Sequence, residues 1–187
     1  MGWFSKKSKV ADSHSNELQF NKLYVAGFAA FNAGDLQQSI DLLLQAFNVK
    51  NIPLTSKTAE GWNYIGVAHM KLYDRDQNPE HLNEAEGALL MARTLSDPAF
   101  YDDYDNIGPI YNLGSCYVKQ QRFAEAEKCF LEAIRRKPTA DAFLRLGFIC
   151  HKTERKADAE YYWEQVLKID PTNSAAKENL ENARKFY

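Results

Sequence analysis

The sequence predicts an all-α fold built from repeated helical hairpins, and three observations predict it. The first is an internal echo. Tyr111-Asn112-Leu113-Gly114-Ser115-Cys116-Tyr117, followed by Ala126-x3-Phe130-x2-Ala133 and Pro138, returns 33 residues later as Phe143-x2-Leu146-Gly147-x2-Cys150, Ala159-x3-Trp163-x2-Val166 and Pro171. Self-similarity at that period marks stacked units rather than one closed globule. The second is an apolar series at i, i+4 and i+7 in each unit, which lies on one face of a helix. The third is the segment after Pro171, where Ala176, Leu180 and Ala183 stand alone among Asn, Glu, Lys and Arg. Such a segment suits the end helix that a repeat array needs over its last exposed seam.

Four units emerge when the chain is aligned on the glycine of the first helix (A) of each hairpin. Gly27, Gly66, Gly114 and Gly147 hold that position, where a missing side chain lets two helices approach closely. The second helix (B) then offers a small residue (Ser39, Ala85, Ala126, Ala159), a larger one (Leu43, Leu89, Phe130, Trp163) and an apolar one (Ala46, Ala92, Ala133, Val166). The small residue follows the glycine by 12 positions in three units and by 19 in the second, which therefore carries seven extra residues. The expected boundaries are 20–53, 56–98, 107–139 and 140–173, with an end helix over 174–187.

The departures from regularity are also informative. Asn78-Pro79 reads as an N-cap followed by proline at the first helical position, so helix B of the second unit should begin near residue 79. Thr55 or Ser56 could cap an early start to its helix A. The result is a longer hairpin in the middle of the array, with a long exit from Ser96 to Gly108. Residues 1–16 are polar and without periodicity, and are expected to form a flexible tail before a repeat domain over 17–187.

With Trp62-x2-Ile65-Gly66-x2-His69 beside the two copies above, the pattern resembles the tetratricopeptide repeat family, W-x2-L-G-x2-Y, then A-x3-F, then P. The resemblance covers about residues 20–173; the third and fourth units match best and the first is degenerate. It implies a right-handed superhelical solenoid of four helix-turn-helix repeats plus a C-terminal capping helix. It also implies a concave groove lined by the A helices, which holds a segment of another protein. Carrying the family's groove positions over gives Tyr24, Phe28 and Phe31 in the first unit and Asn63 and Tyr64 in the second, with Glu60 and Lys71 beside them. The third unit gives Tyr111, Asn112 and Lys119, and the fourth gives Arg145, Phe148 and Lys152. On this reading the aromatics supply contact area, Asn63 and Asn112 hold peptide backbone, and Arg145 with Lys152 pairs acidic groups. One subset of the family clamps the C-terminal carboxylate of heat-shock chaperones. Of that clamp only Asn112 and Arg145 are present, while Asp141 would repel a carboxylate, so this binding mode is disfavoured.

Other chemistries are weakly supported. A formal net charge of −2 gives no electrostatic case for nucleic acid, and no apolar run approaches the ~20 residues of a membrane span. Trp3-Phe4 with Lys6, Lys7 and Lys9 could touch an anionic membrane weakly through residues 1–9, although a solvated tail is the better reading. Cys116, Cys129 and Cys150 lack metal-ligand spacing and read as buried free thiols of a cytoplasmic protein. Asp102 to Gly108 has the composition of a calcium loop but puts Ile107 where an oxygen ligand belongs. The four histidines are scattered, with His69 at a packing position and His81 at an early helix turn. No catalytic, cofactor or metal motif is found. The expected function is a non-enzymatic adaptor that binds a partner's extended or helical segment. The alternatives are a chaperone shielding a hydrophobic client segment and a self-assembling scaffold on a membrane surface. Homo-oligomers stay open.

Overall fold

The computed structural model describes residues 2–52, 55–96 and 106–185, with side chains from His14 onward. The described residues contain nine α-helices and no strand. The chain divides into two compact units, Met1–Tyr101 and Asp102–Tyr187. In the first, α1 (Gly2–Ala33) pairs with α2 (Leu36–Phe47), and α3 (Ser56–Asp76) pairs with α4 (Glu80–Leu95). In the second, α5 (Gly108–Lys119) pairs with α6 (Phe123–Arg136), α7 (Ala140–Lys152) pairs with α8 (Lys156–Ile169), and α9 (Ser174–Lys185) follows. Helix α1 begins at Gly2, so backbone read from the sequence as a tail is helical. Residues 3–16 contain neither proline nor glycine to stop a helix already anchored further along. The side chains of Trp3, Phe4 and the neighbouring lysines lie outside the described set, as do residues 97–105 of the acidic connection.

Every hairpin is built around one contact. The large residue of helix B lies directly over the glycine of helix A. A β-carbon added to Gly27 would stand 2.8 Å from Leu43 Cγ, and one added to Gly66 would stand 2.5 Å from Leu89 Cγ. At Gly114 it would meet the Phe130 ring at 3.0 Å, and at Gly147 it would overlap the Trp163 indole. The covering residues pay no solvent exposure for this position: Leu43, Leu89 and Phe130 are 0% exposed and Trp163 3%. The small residues of helix B (Ser39, Ala85, Ala126, Ala159) and the apolar residues three beyond the large ones are buried as well. Interiors are packed densely enough that an added methyl group here must displace backbone or a branched side chain.

The turns explain why three hairpins are regular. Gly34 (φ 87°), Gln121 (φ 60°) and Glu154 (φ 62°) each lie seven residues after the helix-A glycine, in the left-handed region. The amide of the following residue reaches back to a carbonyl in the last turn of helix A: Asp35 to Ala30 at 2.9 Å, Arg122 to Tyr117 at 2.9 Å and Arg155 to Cys150 at 2.8 Å. This pattern satisfies orphan helix carbonyls while reversing the chain. In the second hairpin the left-handed residue is Gln77 (φ 58°), eleven after Gly66, because α3 continues to Asp76 and spans 21 residues. Thr55 is the N-cap of α3, and the Thr58 hydroxyl accepts its backbone N–H at 2.8 Å. Helix α4 starts at Glu80, one residue later than the sequence suggests. Pro79 is therefore the N-cap, while the Asn78 side chain still accepts from the Glu80 N–H at 3.0 Å.

In the second unit the Arg155 guanidinium grips both carboxylate oxygens of Glu127, at 2.9 and 2.8 Å, joining the start of α8 to α6. The Asn173 side chain accepts from the Ala176 N–H at 3.0 Å and caps α9, which buries Ala176 and Leu180 against Trp163 and Val166. All three cysteines are free and buried. Burial pushes the Cys150 thiol up to about 11, so it remains protonated at neutral pH.

The glycine contact sets a test with an internal control. Gly66→Ala should destabilise the full chain by about 1–3 kcal/mol in urea unfolding through overpacking against Leu89. Gly87 lies in α4 with nothing within 4 Å of its added β-carbon. Gly87→Ala should instead be neutral or stabilise by up to about 1 kcal/mol.

Candidate functional site

In the first unit, positions 24, 28 and 31 share one face of α1, and positions 60, 64 and 71 lie on the facing side of α3. Tyr64 is the centre of the cluster. Its ring meets Phe28 edge-on at 5.1 Å between centroids and Phe31 at 5.0 Å. The Lys71 ammonium stands 4.6 Å from the Phe31 ring centroid, a cation–π distance. Glu60 accepts the Tyr24 hydroxyl at 2.6 Å and the Tyr64 hydroxyl at 3.4 Å. Burial, and then the bond to Glu60, push the Tyr24 phenol well up; burial and the Glu60 charge do the same for Tyr64. Both therefore remain hydrogen-bond donors at physiological pH.

The expected residues separate into two kinds. Tyr24 is buried, stacked on Phe20 at 5.8 Å and committed to Glu60. It is a core residue that fixes α1 to α3, and little of it is left for a partner to touch. Tyr24, expected to line a groove, instead has its ring buried against Phe20 one turn earlier. Phe28 retains 38% exposure despite its contact with Tyr64. Phe31, Asn63 and Tyr64 are half-buried.

In the second unit, the Tyr111 ring packs edge-on against Phe130 at 5.3 Å, and its hydroxyl oxygen faces Arg145 Nε at 3.4 Å. Arg145 and Phe148 on α7 are exposed, and Lys152 stands 5.6 Å from the Phe148 ring centroid. Asn112 and Lys119 are half-buried on α5, and neither is without a partner. This face presents aromatic surface with fixed positive charge. Glu60 and Lys71, expected as groove positions but given no contact there, organise the aromatics of the first unit. Their spacing from Tyr64 along the helix was the available signal. Among the described residues no group of three His, Cys, Asp or Glu side chains could hold a metal ion, and no helix is long and apolar enough to cross a membrane.

Residues 111–174 match the tetratricopeptide repeat family model. Over that span, α5 to α8, the chain carries the tetratricopeptide repeat pattern. Among curated proteins, a 70-residue stretch is 36% identical to Protein O-mannosyl-transferase F38B6.6 of Caenorhabditis elegans. That stretch covers 37% of this chain but only 10% of the relative's length. Solved structures resemble the chain over more of its length. MamA gives a TM-score of 0.72 at 18% identity over 89% of this chain and 81% of that one. YrrB, described as a tetratricopeptide repeat protein with an unusual peptide-binding site, gives 0.68 at 18% identity over 85% and 73%. The Arabidopsis OM64 tetratricopeptide repeat domain gives 0.58 at 20% identity over 71% and 98%. At these identities the likeness is one of fold alone.

The Tyr24–Glu60 bond has a direct consequence. Tyr24→Phe should cost about 1–2 kcal/mol of stability in urea unfolding, reduced from the full value of a charged hydrogen bond because Glu60 is exposed. It should leave the exposed edge of Phe28 unchanged.

Proposed function

We propose that the chain is a non-enzymatic adaptor of the cytoplasm, whose A-helix faces hold an extended or helical segment of a partner protein. The observation that carries this reading is the Phe28–Tyr64–Phe31 cluster. Its rings are held by one another, by Lys71 and by Glu60, yet Phe28 keeps more than a third of its surface in water. A preorganised aromatic surface offers contact area at low entropic cost, and truncating such anchors characteristically removes much of an interface's energy. Arg145 and Lys152 on α7, beside Tyr111 and Phe148, favour a segment that carries carboxylates. Asn63 and Asn112 are assigned to the partner's backbone. The three buried free thiols suit a reducing compartment.

The same exposed aromatics favour a second reading, a chaperone that shields a hydrophobic client segment. The two differ in what the partner does alone: a client is degraded or insoluble without its chaperone, whereas an adaptor's partner is stable.

Capture of partners by the tagged chain in its own cells tests the reading. Phe28→Ala/Tyr64→Ala and Asn112→Ala/Arg145→Ala should each lower recovery of the specific partner by about tenfold or more. Tyr24→Phe should not. Equal recovery by wild type and both double variants would place the binding surface elsewhere.

A further inference from the structure

Two histidines twelve residues apart in the sequence face one another across the second hairpin. His69 Nδ1 on α3 lies 3.2 Å from His81 Nδ1 on the first turn of α4. His81 Nε2 lies 3.2 Å from Asp76 Oδ2, and the other Asp76 oxygen accepts the Asn78 N–H at 2.9 Å. The chain Asn78, Asp76, His81, His69 therefore runs from the turn into the hairpin. Both imidazoles are half-buried.

The positions of the protons follow from the ends of this chain. A carboxylate only accepts, so His81 donates from Nε2 to Asp76. The neutral His81 ring then has a lone pair at Nδ1, and His69 must donate to it from its own Nδ1. One added proton, entering at His69 Nε2, leaves this bond intact and can be shared across it. A second proton puts N–H groups on both facing nitrogens. The bond is then lost and two positive charges stand side by side.

A bridging metal ion accounts for the geometry less well. The ring centroids are 5.5 Å apart, wider than the nitrogen separation by about two ring radii, as for rings meeting nitrogen to nitrogen. A cation about 2.0–2.1 Å from each nitrogen would sit off that line and tilt the rings toward one another. The described residues also supply no third ligand.

We propose that His69 and His81 form a one-proton site that fastens α3 to α4 and makes the second hairpin loosen in mild acid. The charged groups around the pair are Asp76 and Arg75 at the end of α3 and Glu84 on α4. Burial, and then the neighbouring His81, hold His69 below the ordinary histidine value of 6.5, while Glu84 opposes them. The unfolded chain thus binds a proton that the folded chain refuses. The linked stability is present above about pH 6.5 and is lost as the pH falls below it. Helix α3 also carries Glu60 and Tyr64, so the element that loosens is one that presents the aromatic cluster.

The experiment is an NMR-followed titration of the imidazoles in the full chain, wild type and His81→Gln, combined with urea unfolding at pH 7.5 and 5.5. In wild type the folding constant should fall about tenfold between those pH values, beyond any fall seen in His69→Gln. In His81→Gln the His69 midpoint should rise, because the neighbouring imidazole that helps to hold it down is gone. If His81→Gln does not fold, the comparison of wild type with His69→Gln decides alone. The proposal is overturned if His69 titrates identically with and without His81, or if His69→Gln keeps the full pH dependence. It is equally overturned if one equivalent of zinc at neutral pH shifts both imidazoles, which would make the pair a metal site.

Discussion

The seat of a large helix-B side chain over a helix-A glycine is the contact on which each hairpin depends. Leu43, Leu89, Phe130 and Trp163 occupy equivalent places, and each is almost wholly removed from water. Burial of a side chain of that size is worth about 1.5–3 kcal/mol, but only if the facing helix leaves room for it. Glycine supplies that room at a helix cost of about 1 kcal/mol relative to alanine. The exchange favours close packing, and close packing fixes which face of each A helix turns outward. Phe28 and Tyr64 in one unit, and Arg145 and Phe148 in the other, inherit their exposure from it.

The second hairpin keeps this contact while changing what surrounds it. Its A helix runs to Asp76, its left-handed turn moves to Gln77, and the added length carries Asp76 and Asn78 into the structure. In the regular repeats the place of His81, four before the small residue of helix B, is held by Asp35, Arg122 and Arg155, and the added length puts Asp76 and Asn78 beside it. The extension therefore adds polar chemistry to a hairpin whose apolar core is unchanged, with Leu72, Ala85, Leu89 and Ala92 all buried. Irregularity in a repeat protein is where one copy can acquire a property its neighbours lack, because each unit contacts only its neighbours.

The glycines and the buried stripe were legible because they follow a fixed spacing, and the stretched second hairpin because it breaks that spacing by seven residues. An early cap on α3 was legible from residue type, with Thr55 and Ser56 as alternatives, of which the structure uses Thr55. What spacing cannot convey is which residues meet across a hairpin when the turn is moved. His69 and His81 are twelve residues apart on different helices, and their facing nitrogens depend on where Gln77 reverses the chain. Tyr24 shows the opposite limit. Its place in the repeat reads as groove, but Phe20 and Glu60 together give it an apolar seat and a hydrogen-bond acceptor, and it turns inward. The helical backbone of residues 2–16 escaped a reading based on periodicity, since those residues show no apolar stripe.

A double-mutant cycle between Gly66 and Leu89 tests the central contact most directly. Leu89→Ala alone should cost about 2–5 kcal/mol by opening a cavity. In the Gly66→Ala background the same truncation should cost at least about 1 kcal/mol less, because the added methyl group enters the space that leucine vacates. Costs that simply add, to within about 0.5 kcal/mol, would mean that the two residues do not constrain one another and would contradict the account.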